Sequence, residues 1–160
     1  MSSSPSLYRS DDLGGSPEAC EPPRGAVLIP FIVSAAILNE ATPGGPKPAG
    51  IDLTFNTQMD PASTQNPANY QLLEAFDSTG KPQFRPLPLV ATYNPATQSV
   101  VLLWRQKAEF PLGGLFTVNG TPPQGLMDAF GVFLAGGDNG GIGTNATFLV
   151  LPNAIGLVQR

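Results

Sequence analysis

From Ile29 onward the chain alternates between short apolar runs and clusters of turn-forming residues, and no stretch keeps a helical period. The first run, residues 29–38, ends at Asn39 and a loop, residues 42–49, that carries Pro43, Gly44, Gly45, Pro46 and Pro48. The second, Ile51-Asp52-Leu53-Thr54-Phe55, alternates strictly, so Ile51, Leu53 and Phe55 share one face of a half-buried strand. Further runs cover residues 70–76, 87–93, 99–104, 115–118 and 144–151. Seven short runs with turn signals about every dozen residues predict an all-β chain, an immunoglobulin-like β-sandwich of about seven strands.

The connections refine this. Asp60 precedes Pro61-Ala62-Ser63, a capping carboxylate before a proline whose fixed φ suits a first helical position, which predicts one helical turn. Asn94-Pro95-Ala96-Thr97 fits a β-turn and makes the fourth and fifth runs a hairpin. Pro86 and Pro88, at the start of the fourth run, assign it to a sheet edge.

Composition supports one domain. Of 160 residues, 41% are apolar, enough for a core, and the 18 glycines and 18 prolines mostly punctuate the runs. Residues 1–26 have no apolar period and are rich in Ser, Gly and Pro, so they read as a flexible, disordered leader. The sandwich is expected over residues 27–152 and a C-terminal tail over 153–160. The leader lacks the basic start and apolar run of a signal peptide, and the apolar stretch 27–38 is shorter than the roughly 20 residues of a membrane span. Cys20, the single cysteine, has no apolar segment before it to signal lipidation and reads as an exposed thiol.

Charge narrows the function classes. Eight Lys and Arg against twelve Asp and Glu give a net charge of −4, and the basic residues are scattered, which argues against nucleic acid as a partner. The absence of histidine excludes a Ser-His-Asp or Cys-His site and a histidine zinc site within this chain.

Four segments together resemble a known pattern. Residues 51–63, with the Met59-Asp60-Pro61-Ala62 turn, followed by Asn69-Tyr70-Gln71-Leu72, are similar to a strand, turn and strand of bacterial Ig-like domains of the S-layer type. Tyr93-Asn94-Pro95-Ala96-Thr97 resembles that family's Tyr-Asp-Pro-Ala-Thr hairpin. Phe116-Thr117-Val118-Asn119-Gly120 and Leu126-Met127-Asp128-Ala129-Phe130-Gly131 correspond to its penultimate strand and its Leu-x-Asp-x-x-Gly turn. The resemblance covers residues 29–152 and implies a modular, extracellular or cell-surface, non-enzymatic domain, often one of several in a large exported protein. Its partners would be neighbouring domains of the same polypeptide, or a cell-surface protein or polysaccharide. Two departures stand out: Val132 where the family often has Asn, and a single carboxylate in the loop 135–141 where it often has an Asp-Gly-Asp-Gly loop.

That loop holds the one metal candidate. Asp138 and Asn139, with Thr144, Asn145 and backbone carbonyls, could offer oxygens to a weak Ca2+ site, but calcium takes six to eight oxygens and usually several carboxylates. The simpler expectation is a tight turn and no cofactor. Trp104 and Tyr93 are the candidates for stacking a sugar, as in a carbohydrate-binding module accessory to a secreted hydrolase. The competing reading puts Trp104 in the core, on the face of Val100 and Leu102. Asp52, Asp60 and Asp128 could supply a glycosidase pair, yet each has a local role available, on a strand's outer face, as a cap and in a turn. Asn119-Gly120-Thr121 and Asn145-Ala146-Thr147 are glycosylation sequons in form and matter only in a glycosylating host. The expected function is a non-catalytic structural or adhesion module of a larger exported bacterial surface protein.

Overall fold

Alternation sorts the side chains of each strand to two sides, and two sheets bury their apolar sides against each other. The computed structural model describes residues 28–137 and 141–160. The expected leader with Cys20, and Asp138 and Asn139 of the glycine-rich loop, lie outside the described residues.

Nine strands are present among the described residues: β1 Ile32–Glu40, β2 Lys47–Phe55, β3 Tyr70–Ser78, β4 Lys81–Leu87, β5 Leu89–Asn94, β6 Ser99–Trp104, β7 Gly114–Val118, β8 Ala146–Val150 and β9 Leu157–Gln159. They form an antiparallel sheet ordered β1-β2-β6-β5 and another ordered β4-β3-β7-β8-β9. The chain is thus an all-β sandwich, with nine strands where seven runs were expected.

The differences have local causes. Residues 81–87 form a strand of their own despite Pro82 and Pro86, because β4 is an edge that pairs only with β3. The two prolines are four apart and share one orientation, so both missing N–H groups can fall on the open side. β2 begins at Lys47, inside the expected loop. The expected tail, 153–160, turns back at Pro152–Ala154, and Leu157–Gln159 then pairs with Phe148–Val150. Three residues are too few to leave a period in the sequence.

In the first sheet, Ala35, Leu53, Val100 and Tyr93 line one inward row, each opposite the next across the strands. In the second, Leu87, Leu72, Phe116 and Phe148 form the corresponding row. Leu53, Val100 and Phe116 are fully buried, and one continuous cluster joins both rows. Each such large side chain removed from water contributes about 1.5–3 kcal/mol. Gly114 belongs to this packing: a Cβ there would stand 2.3 Å from the Leu73 carbonyl oxygen and against the ring of Phe110.

The Asp60 cap forms as expected: α1, Pro61–Thr64, is a single turn whose Ser63 N–H donates to Asp60 Oδ2 at 3.0 Å. The hairpin also forms, with Asn94 opposite Ser99 and the Ala96 N–H donating to Asn94 Oδ1. Tyr70 ties α1 to the core. Its ring stacks at 6.4 Å from Phe116, and its hydroxyl donates to the Thr64 carbonyl at 2.6 Å.

Burial pushes the Tyr70 phenol well above the ordinary tyrosine range, since the anion would lose its water. The folded chain therefore holds this proton where the unfolded chain releases it, at about pH 10. The sign follows: the stabilisation is fully present below that pH and is lost as the pH rises towards the folded value. Unfolding free energies of the parent and Tyr70→Phe proteins, from urea titration, should differ by about 1 kcal/mol at neutral pH, and the gap should shrink at about pH 11. A gap that stays constant would remove the assignment.

Candidate functional site

The two rings proposed to stack a sugar are in the core. Trp104 and Tyr93 are 8% and 7% exposed, so neither has a free face. Trp104 lies opposite Leu89 and Tyr93 opposite Val100, which separates them by four residues along the β5–β6 pair, about 13 Å. Trp104 packs edge-on to Phe110 with centroids 5.3 Å apart. Tyr93 acts as a pin: its hydroxyl accepts from the Met59 N–H at 2.9 Å and donates to Gln58 Oε1 at 3.1 Å, while its own N–H donates to Gln65 Oε1. The sugar platform is therefore corrected to a structural pair. The alternation that puts Trp104 in phase with Val100 and Leu102, both fully buried, is the reason.

Two of the three aspartates are neighbours, since Asp128 forms a bridge with Met59 beside Asp60, while Asp52 lies on β2, and Asp60 and Asp128 are each engaged by the backbone. Asp60 caps α1 and donates its N–H to the Met127 carbonyl. Asp128 organises the following turn, its Oδ1 accepting from the Phe130 and Val132 N–H groups at 2.9 Å each. Gly131 closes that turn at φ +86°, a conformation that disfavours any side chain. Asp52 sits between Ala36 and Val101 on the outer side of the first sheet, since its neighbours Ile51 and Leu53 point inward. Its Oδ1 is buried without a hydrogen-bond partner among the described residues.

A charged group that the sequence reading passed over is more consequential. Glu74 is 4% exposed and lies directly opposite Arg85 across the β3–β4 pair. Its Oε1 meets the Arg85 guanidinium, and its Oε2 accepts from the Glu109 and Phe110 N–H groups at 3.0 and 2.9 Å. Arg85 also donates to the Lys107 carbonyl. One carboxylate thus helps hold the β6–β7 connection against the second sheet, beside the backbone bonds of Ala75 with Leu112 and Gly113. The signal was in the register of β3: Glu74 falls in phase with Tyr70 and Leu72, an acidic residue at an inward position.

Around the glycine-rich loop, the Thr144 and Asn145 side-chain oxygens are engaged by the chain itself. Thr144 Oγ1 accepts from the Gly136 and Gly137 N–H groups and donates to the Gly141 carbonyl. Asn145 Oδ1 accepts from the Gly120 N–H and the Thr121 hydroxyl at 2.9 Å each. Asp138 and Asn139 lie outside the described residues. Among the described residues, no three Asp, Glu or Cys side chains gather as metal ligands.

Comparison of the chain with protein-family models, with curated proteins and with solved structures returned no match in any of the three.

Two outcomes follow from this arrangement. Glu74→Ala leaves the Glu109 and Phe110 N–H groups without their acceptor, while the half-exposed Arg85 turns to water, and should cost about 1–3 kcal/mol in denaturant unfolding; a loss under about 0.5 kcal/mol, the range of a surface substitution, would show that Glu74 is not the anchor. Trp104, the single tryptophan, should emit in the blue, resist iodide quenching and ignore added polysaccharides. Emission that shifts on titration with a glycan would restore the sugar-binding role.

Proposed function

We propose that this chain is a non-catalytic, immunoglobulin-like structural or adhesion module of a larger exported bacterial surface protein. What supports the immunoglobulin-like reading is the strand order. A first sheet β1-β2-β6-β5 over β4-β3-β7-β8 follows the pattern of an ABED sheet over a CFG sheet extended by one strand, with β9 as an addition. The motifs shared with S-layer-type domains fall on the connections of that arrangement: the Asp60 cap, the Asn94 hairpin and the Asp128 turn.

The observation that carries the non-catalytic part is the employment of the polar side chains. Glu74, Asp60, Asp128, Asn69 and Asn145 each bind backbone groups of a connection. Chemistry needs groups held ready for a substrate, and these are held by the fold itself. Such a use of polar residues suits a module whose task is to keep its shape between neighbouring domains. Sugar binding through Trp104 and Tyr93 has no exposed ring to work with.

The location and the lack of turnover are tested separately. Antibody raised against the purified chain should label intact cells of the source organism, and label that appears only after lysis would refute export. The purified chain should leave a panel of aryl glycosides, esters and peptides unchanged, with turnover of any of them sinking the non-catalytic reading.

A further inference from the structure

The most exposed large apolar side chain among the described residues is Phe130, 88% open to water. It stands on a turn of the β7–β8 connection that is braced on several sides. Asp128 Oδ1 accepts from the Phe130 and Val132 N–H groups, the Asp60 N–H donates to the Met127 carbonyl, and the Ala129 N–H donates to the Gln58 carbonyl. An aromatic ring gains from leaving water, and a turn held this firmly has little freedom left to lose when the ring is buried. Phe130 is therefore an anchor pre-organised for a partner surface.

The other end of β7 carries a recess. On the outer side of the second sheet, Ala75 lies opposite Phe84 across the β3–β4 pair, and Leu115 lies opposite Leu149 across the β7–β8 pair. Leu112, from the β6–β7 connection, closes a further side. Ala75 is small and these neighbours are large, so together they enclose a hollow of about 390 Å³. Phe84, Leu112 and Leu149 are themselves exposed, and Arg160 is the one charged residue in the lining. The hollow reaches Gly114 and Val150, where β7 begins, whereas the Phe130 turn follows Val118, where β7 ends.

We propose that Phe130 of one copy of this chain seats in the Ala75 hollow of a second copy. Charge selects this occupant. The segment 124–133 that carries the ring has Asp128 as its single charge and is bonded to Asp60, so an acidic turn meets a hollow lined by Arg160 and no carboxylate. The two hollows beside Lys107 each have two glutamates in their walls, which repel such a turn. Two larger hollows, one lined by Phe31 and Ala146 and the other by Ala36 and Ile155, have no charged residue to attract it. Ring and recess are different surfaces at different ends of the molecule, so the contact is heterologous and repeats from copy to copy as an open chain. This contact stands independently of the proposed surface role.

The test uses the whole chain in sedimentation velocity from about 10 μM to about 1 mM, a range suited to a small, weak contact. The mean sedimentation coefficient of the parent should rise through that range without levelling at a dimer. Phe130→Ala alters a side chain that the fold leaves in water, and should stay monomeric with an unchanged circular dichroism spectrum. Leu149→Asp puts a carboxylate in the recess and should also stay monomeric. An equimolar mixture of the two should form a dimer and stop there, since one keeps the recess and the other keeps the ring. Ile155→Ala, at an exposed apolar side chain of a different hollow, should associate as the parent does. If Leu149→Asp fails to fold, Leu112→Asp blocks the same recess from a connection between strands. A parent that stays monomeric at the highest concentration, a Phe130→Ala protein that associates like the parent, or a mixture that stays monomeric would overturn the proposal. None of these outcomes touches the cell-labelling result, so the two readings fail separately.

Discussion

The rows of apolar side chains that meet between the sheets are the constraint on which everything else hangs. Leu53 and Val100 on one side, and Phe116 flanked by Leu72 and Phe148 on the other, are buried almost completely, and Phe148 lies 5.8 Å from Phe116 by ring centroids. A one-residue slip in any strand would turn its share of this row to water, so the register of each sheet is set by burial. With only 12% charged residues in the chain, little else is available to choose between registers.

Packing the sheets creates a second demand, because the connections that cross their ends carry backbone N–H and C=O groups out of water. Side-chain oxygens meet it. Asp60 and Asp128 hold facing turns that are joined directly by the Asp60 N–H to the Met127 carbonyl, and Ser63 closes the same junction by accepting from the Met127 N–H. Asn145 and Thr144 do this for the turns near Gly120 and Gly136. Glu74 does it from within a strand. These polar residues are thus arranged by what the backbone lacks, and Asp52, whose buried Oδ1 has no partner among the described residues, is the exception.

What could be read beforehand follows the range of the interaction involved. The alternation of β2 and β6, the Asp60 cap and the Asn94 turn are local: each is decided within about ten residues, and each was legible. The pairing of Glu74 with Arg85 spans eleven residues, and its bonds to Glu109 and Phe110 span about thirty-five, so the segment around Glu74 shows its inward phase but not its partners. β9 exists because β8 offers it an edge, a fact about the sheet that no three residues can carry. Trp104 shows the opposite case, where a local rule, alternation with Val100 and Leu102, already pointed to the core as the competing reading to a binding platform.

The same reasoning explains why the sandwich is asymmetric from edge to edge. β4 could join the second sheet with two prolines only because it ends the sheet, and those prolines and its charges then close that end to further strands. β1 is placed at the corresponding end of the other sheet, diagonally across the sandwich, and has no proline and a single charge, Glu40, at its end. Its inward residues, Ile32, Ala35 and Ile37, are only partly buried because the second sheet reaches them through no more than the short β9. The apolar surface left over is a product of topology: a nine-residue edge strand faces a three-residue one, and the shorter cannot cover the longer.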